Sequence, residues 1–583
     1  MSILASLADA YRRLPDAPPY GYSSQNIGIL VSLNEDGSVF SVRDWREGEG
    51  RKRKAKTMLV PQPVKRTAGI APNFLWDKTS YVLGVTGGEG KRTADEHAAF
   101  KERHETELAG SDDAGLRALL LFLRHWTPDQ FVAPLWPDDL RDQNVAFVLE
   151  SDRLANLWLH SRAAAKALWA RVAGAAAREA QVCLVTGEAG PVARLHPAIK
   201  GVWGGQSSGG SIVSFNLDAS ESYGHRQGDN APVSEAAAFA YTTALNRFLQ
   251  RDSGHRIQIG DASTVFWADA SGKVATLAEN AFFAMFAAPG EDTTDSEAVR
   301  KIEILLTRLR KGELLEDPDW RMAEGVRFHV LGLAPNAARI SIRFYFENDF
   351  GVLAKNYQRF VEDMRIEPAW RDPYPPLWRY LRETAVLGKS ENVPPNLAGE
   401  WMRAILGGTP YPRTLLSAVL GRIRADGEVN ALRVAMMKAV LVRNDRREVP
   451  VSLDPDCKVK GYLLGRLFAV YEQAQTAALG RNVNATIKDK FYGSASATPR
   501  NVFALLERGS ANHLAKVGKE RPGLRVNLEK AIASIMGAMS PGEDPFPASL
   551  GAADQALFGL GYYHQRSEAF RKRDTAGAEE AAE

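Results

Sequence analysis

Runs of alternating apolar and polar residues dominate the first part of the chain, and helical spacing dominates the last. After a short amphipathic helix at the start (Ile3, Leu4, Leu7, Tyr11, Leu14), two β runs, Ile27 to Leu33 and Ser38 to Val42, flank Asn34-Glu35-Asp36-Gly37. That turn composition between two apolar runs predicts a hairpin. Helical spacing follows from about Ala94 to Trp126 (Leu116, Leu119, Leu120, Phe122, Leu123), then a strand at Asn144 to Leu149, then a long Ala-rich helix from Arg153. Gln181 to Gly187 reads as a strand and Ser234 to Leu249 as a helix. A second hairpin is expected at "VRFHVLGLAPNAARISIRFYF", where Ile340, Ile342, Phe344 and Phe346 alternate with Ser341, Arg343 and Tyr345.

A proline cluster, Glu367 to Trp378, closes this part. Beyond it successive amphipathic helices are broken by Gly, Pro and Asn, with Leu464, Leu467, Phe468, Tyr471 and Ala478 on one face of the fourth. The expected class is α+β: a strand-rich, multi-part N-terminal region (residues 1–370) with a helical insertion at about 94–180, then an all-α C-terminal bundle (376–572). Residues 573–583 read as a disordered tail.

Composition narrows the classes. At 583 residues the chain is too long for one core, and domains of about 100–200 residues predict three or four. It has the apolar and charged content of an ordinary globular protein and no membrane-length apolar run. The charged first helix is unlike a signal peptide, so a cytoplasmic location is expected. Two cysteines, Cys183 and Cys457, are too few for a zinc site or a disulfide framework.

A net charge of +3 is small for this length, so a polyanion must be met by local patches. Arg43 to Arg66 holds nine basic residues against three acidic ones, and Trp401 to Val449 holds nine against four. The first run continues into Asn73 and Lys78, interleaved with Phe74, Trp76 and Tyr81. Cations that neutralise phosphate and amides that read base edges suit nucleic acid. Buried aromatics are the alternative for Phe74 and Trp76. The second run can follow a nucleic-acid backbone or pair with acidic neighbours.

The stretch "VWGGQSSGGSIVSFN" sets Gln206, Ser207 and Ser208 between glycine pairs. It is not a phosphate-binding P-loop: Gly204 and Gly209 have the spacing, but Gly210 stands where lysine is needed. "GVTGGEGKRT" fails too, with Val85 for the first glycine and Arg92 for the hydroxyl residue. The ten histidines show no metal spacing and no nucleophile elbow occurs, so neither a catalytic set nor a cofactor is expected.

Longer blocks carry a resemblance. "PPYGY", "VPQPVKRTAGIAPNFLWDKTSYVLG", the segment from Ala193 to Asn246, "NATIKDKFYGSASATP" and "GLGYYHQR" together resemble the large subunit of the type I-C CRISPR surveillance complex, Cascade. The resemblance implies a non-enzymatic subunit that recognises the protospacer-adjacent motif (PAM), promotes duplex opening and R-loop formation, and helps recruit a helicase-nuclease. Its implied partners are crRNA, target double-stranded DNA, the repeated backbone subunits, the crRNA-end-binding subunit and a small subunit. The C-terminal region from about residue 458 is implied to resemble that small subunit. A crRNA-processing endoribonuclease and a purely structural adaptor are the alternatives.

The expected base-reading residues are Asn73, Lys78, Gln206, Ser207, Ser208 and Asn216. The expected backbone-holding residues are Arg51, Lys52, Arg53, Lys54, Lys65 and Arg66. Glycine pairs let a backbone approach a groove wall, and the degenerate minor groove suits short amide and hydroxyl groups.

Overall fold

The computed structural model describes residues 2–15, 17–48, 53–64, 69–175, 180–215, 217–286, 325–370, 375–480, 484–540 and 542–580. Five of the expected site residues, Arg51, Lys52, Lys65, Arg66 and Asn216, lie outside these. The chain is α+β, with more helix than strand and several small sheets among the described residues. It divides into two compact units, Met1–Pro197 with Val213–Ala244, and Ala198–Ile212 with Leu245–Glu583.

The first unit is built on two sheets. Helix α1 (Ile3–Arg13) is capped by Ser2, whose hydroxyl accepts from the Ala5 amide at 3.2 Å. Strands β1 (Tyr22–Ile27), β2 (Ile29–Leu33), β3 (Val39–Asp44), β4 (Arg46–Glu47), β5 (Lys54–Pro61), β6 (Asp77–Lys78) and β7 (Asn144–Leu149) pair in the orders β3-β2-β7-β6 and β1-β5-β4. The predicted β2–β3 hairpin is present. Its turn closes with the Asn34 amide donating to Ser38 O at 2.9 Å, and Gly37 takes φ +82° where an added Cβ would meet the Leu121 side chain at 2.6 Å. Strand β2 is buried throughout and runs parallel to β7.

Because β7 is a central strand, the expected helical insertion is interrupted. The four-residue α2 (Thr79–Val82), α3 (Thr93–Glu107) and α4 (Ala114–His125) lie between β6 and β7 in sequence, and α5 (Ala163–Ala175) follows β7. Helix α4 buries Leu116, Leu119, Phe122 and Leu123, the face its spacing predicts. The strand expected over Gln181–Gly187 ends early. The pair β8 (Ala180–Val182) and β9 (Ala189–Pro191) is short because the chain turns at Cys183, whose carbonyl accepts from the Gly187 amide at 2.8 Å. Helix α6 (Glu235–Phe248) forms as expected.

In the second unit β10 (Arg256–Ile259), β11 (Ala262–Ala268), β12 (Arg327–Asn336) and β13 (Arg339–Asp349) form an antiparallel meander. Helices α7 (Gly272–Phe286) and α8 (Phe350–Asp363) cover one face through a chain of tilted aromatic contacts. Phe266 and Phe282 lie 4.6 Å apart, Phe282 and Phe328 5.2 Å, and Phe328 and Phe350 5.1 Å. Strict alternation in β13 fails. The register shifts by one residue between Gly332–Phe344 and Leu333–Ile342, leaving Ile342 41% exposed, as a bulge requires.

Among the described residues nine α-helices follow: α9 (Leu377–Thr384), α10 (Pro395–Gly407), α11 (Arg413–Asp426), α12 (Ala431–Asp445), α13 (Lys460–Leu479), α14 (Ile487–Ala497), α15 (Phe503–Glu520), α16 (Pro522–Gly537) and α17 (Ala552–Glu580). They share one core with the meander, which includes Phe344, Trp401, Met437, Phe468 and Phe558. The proline cluster therefore does not separate compact units. Helices α13 and α17 cross at backbone contact. A Cβ on Gly465 would lie 2.0 Å from Phe558 O, and one on Gly561 would lie 2.1 Å from Tyr462 O. Helix α17 continues to Glu580, past the start of the expected disordered tail, where Ala and Glu are strong helix formers.

Candidate nucleic-acid interface

The glycine stretch belongs to the second unit and is pinned at its base. Ile199 and Gly210 exchange both backbone hydrogen bonds at 2.9 Å. Asn246 on α6 holds the incoming strand: its Oδ1 accepts from the Lys200 amide at 2.8 Å and its Nδ2 donates to Ala198 O at 3.1 Å. The Trp203 amide donates to Ser263 Oγ on β11 at 2.8 Å. On the outgoing side, the Ser211 amide donates to Ala338 O, and the Ile340 amide donates to Ser211 O at 3.0 Å, which joins the loop to the β12–β13 turn.

Between these pins the chain makes two successive tight turns. The Gly205 amide donates to Val202 O at 3.0 Å and the Gly209 amide to Gln206 O at 2.9 Å. Gly209 has φ +87°, and a Cβ there would meet Ile199 O at 2.6 Å, so only glycine fits. Gln206, Ser207 and Ser208 are exposed at the tip, with Lys200 and Arg339 exposed at its two shoulders. Trp203 is 63% exposed. Sequence reasoning passed over Trp203, Lys200 and Arg339. The signal for Trp203 was an aromatic residue directly before a glycine pair; the other two depend on which strands the loop joins.

The basic candidates lie in the first unit. Arg53 and Lys54 are exposed at the start of β5. Arg53 reaches Asp44 at 2.7 Å, and Asp44 also holds Arg46 at 2.8 Å. Those hydrogen bonds, Arg46 first, lower the Asp44 carboxyl to about 2 although burial opposes it. Lys56 pairs with Glu47 at 2.7 Å and lies 4.9 Å from the ring of Trp45, with Arg43 at 5.0 Å from the same ring. A shallow groove is lined by Glu47, Gly48 and Lys54 to Thr57.

Asn73 is 4% exposed. Its Oδ1 accepts from the Val64 backbone amide at 3.0 Å, and its backbone N–H donates to Asp77 Oδ2 at 2.8 Å. The structure therefore makes Asn73 a brace and not a surface reader. Lys78, whose amide donates to Asp77 Oδ1 at 2.8 Å, is exposed beside that brace. Phe74, Trp76 and Tyr81 are all buried, so of the two readings open for Phe74 and Trp76 the core one holds. Phe74 stacks on His104 and Trp169, and Trp76 Nε1 donates to Pro61 O at 2.7 Å. His104 Nε2 accepts from the Leu75 amide at 2.9 Å, and burial lowers its pKa to about 3, the neutral state that an acceptor nitrogen needs.

Three of the nine cations of the second basic run are buried in internal contacts, while Arg403, Arg413, Arg424, Arg446 and Arg447 stay exposed. Arg433 is buried, with Asp426 at 2.6 Å and Glu383 at 2.9 Å. Arg443 is buried 2.6 Å from Asp363, and Lys438 Nζ donates to Asp363 O at 2.9 Å. Among the described residues no group of three or more His, Cys, Asp or Glu could hold a metal, and no helix is long and apolar enough to cross a membrane.

An α+β protein whose candidate sites are an open, pinned loop and an exposed basic strand has the surfaces of a subunit that meets large partners. The family model described as CRISPR-associated protein (Cas_Csd1) matches residues 5–570, and the chain belongs to that family. The family is that of the type I-C CRISPR large subunit, a member of the Cascade complex. A comparison with curated proteins finds no match.

Proposed function

We propose that this chain is the subunit of its complex that recognises the protospacer-adjacent motif in duplex DNA, starts R-loop formation and helps recruit the helicase-nuclease, without itself breaking bonds. The carrying observation is the loop of residues 199–210, held rigidly at its base while it presents only glycine, amide and hydroxyl groups at its tip. A close backbone with short polar groups suits the minor groove, where few donors and acceptors distinguish the base pairs. Gln206, Ser207 and Ser208 read base edges, and Lys78 is a further candidate reader. Arg53 and Lys54 hold phosphates. Arg51, Lys52, Lys65, Arg66 and Asn216 keep the same proposed roles from sequence alone. Base pairing with the crRNA then supplies the rest of the specificity, as in other RNA-guided systems. A fragment beginning near residue 458 would comprise α13 to α17 and serve as the small subunit.

The test uses the assembled complex and duplexes with and without the motif. Changing Gln206 to alanine is expected to cost about 1–3 kcal/mol on motif-bearing duplex and little on motif-free duplex. Equal losses on both would refute base reading by the loop. Unchanged binding and targeting in a complex lacking residues 203–208 would favour a structural adaptor.

A further inference from the structure

The proline cluster runs into α9, and the tryptophans and arginines around that helix serve none of the roles above. We infer that the cleft beside α9 docks a partner protein through a segment in which an acidic residue lies next to an apolar one. The inference does not depend on the reading of the 199–210 loop.

The cleft encloses about 310 Å³, and Trp370, Arg379, Arg382, Asn430, Leu432 and Arg433 are among the residues that line it. Two indoles clasp Arg379: its guanidinium carbon lies 4.3 Å from the centre of the Trp378 ring and 5.2 Å from that of Trp370. Among the described residues no oxygen takes its N–H groups. Arg382, three residues on along the same face of α9, donates only its Nε, to Gly388 O at 2.8 Å. Both guanidinium forks are therefore held in position with donors free. The other charges of the wall largely cancel. Glu383 Oε2 accepts from Asn430 Nδ2 and from Arg433 Nε, each at 2.9 Å, and Arg433 also reaches Asp426 at 2.6 Å.

Beside these free cations the surface is apolar. Val386 and Leu387, which lead into Gly388, are 52% and 78% exposed. Leu387 has φ +57°, a left-handed conformation that costs a residue with a Cβ. The turn is held in that form by Asn392 Nδ2, which donates to Val386 O at 3.0 Å, and by the Arg382 bond to Gly388. Tryptophan and arginine are the commonest anchors of protein interfaces, and exposed aliphatics beside them supply apolar contact. A carboxylate fits an arginine fork through two parallel hydrogen bonds. A nucleic-acid strand fits worse, because its phosphates would meet the exposed carboxylate of Glu428 and find no donor on Val386 or Leu387. An acidic residue next to an apolar one satisfies both halves of the surface at once.

The experiment selects short peptides from a random displayed library on the full-length chain, with the double variant Arg379→Glu/Arg382→Glu as counter-selection. The enriched peptides are expected to place Asp or Glu next to Leu, Ile or Phe. The leading peptide, synthesised with a fluorophore, should bind the double variant about 10-fold or more weakly than the parent, the loss expected of an interface anchor. Its affinity for the parent should fall as salt is raised. The same peptide with Lys in place of its acidic residue should prefer the double variant, a reversal that a misfolded variant cannot give. Leu387→Ala should weaken the original peptide by a smaller factor. No enrichment, enriched peptides without an acidic residue, or equal binding to parent and double variant would each overturn the inference. So would a single-stranded DNA oligonucleotide that displaces the peptide from the parent and loses its own affinity in the double variant, which would assign the cleft to nucleic acid.

Discussion

Two regions of this protein hold nine arginines and lysines each, and the start of β5 in one and α12 in the other use them in opposite ways. On α12 the cations Arg433, Lys438 and Arg443 are drawn inward. Arg433 and Arg443 are buried against Asp426, Glu383 and Asp363, and Arg443 also lies 4.2 Å from the Tyr411 ring. At the start of β5, Arg53 and Lys54 stay exposed, and the Arg53–Asp44 pair at 2.7 Å faces solvent. A buried ion pair cannot exchange its partner without leaving a charge stranded in low dielectric. An exposed pair is worth only about 0–1 kcal/mol and can be traded for a phosphate. Counting charges along a sequence cannot tell these apart; the burial of the cations, Arg433 and Arg443 against exposed Arg53, can.

Acid sharpens the comparison most. Burial lowers the pKa of His104 to about 3 and of His160 and His564 to about 4, from an ordinary 6.5. The unfolded chain takes up these protons first. The stability of the neutral forms is therefore whole above pH 6.5 and drains away as pH falls toward 4, by up to about 3 kcal/mol per histidine. Asp44 and Asp426, both held near 2 by their arginines, keep their pairs through that window and lose them only below about pH 4. Urea unfolding from pH 7 to pH 4 should show the loss. A flat profile would mean that the imidazoles are solvated.

The next largest effect is on α12. Changing Arg443 to methionine leaves Asp363 buried with a charge and should cost about 3–5 kcal/mol, read as a lower urea midpoint. Changing Asp363 to leucine in the same protein should recover most of that loss. Duplex binding by assembled complexes should be unaffected wherever the fold survives. A loss of DNA affinity without a loss of stability would return these helices to the list of nucleic-acid surfaces.

Much of the fold was legible because it depends on local pattern. The β2–β3 and β12–β13 hairpins, α4 and the C-terminal helices lie where period and turn residues put them. What escaped depends on distant partners. Nothing near Gln181 announces that the chain will turn at Cys183, and nothing near Ile342 announces the register shift opposite Gly332. The grouping of Ala198–Ile212 with the meander follows from pairing with residues more than 100 positions later. In the candidate site the loop tip was legible as small and polar. Asn73 was misjudged because a side-chain amide between aromatics reads alike whether it faces a base or, as here, accepts from the Val64 backbone amide.

The smallest effect on stability, and the most diagnostic for DNA, is expected at β5. Replacing Arg53 and Lys54 by alanine removes one exposed ion pair and one exposed ammonium, so unfolding should shift by no more than about 0.5 kcal/mol. On duplex DNA the same change should lower affinity equally with and without the motif, because phosphates carry no sequence. It should also reduce the slope of log affinity against log salt by about 2, near one counterion for each cation removed. A slope that does not move would show that Arg53 stays with Asp44 in the complex. A loss confined to motif-bearing duplex would make β5 a reader and erase the division of roles between the strand and the loop.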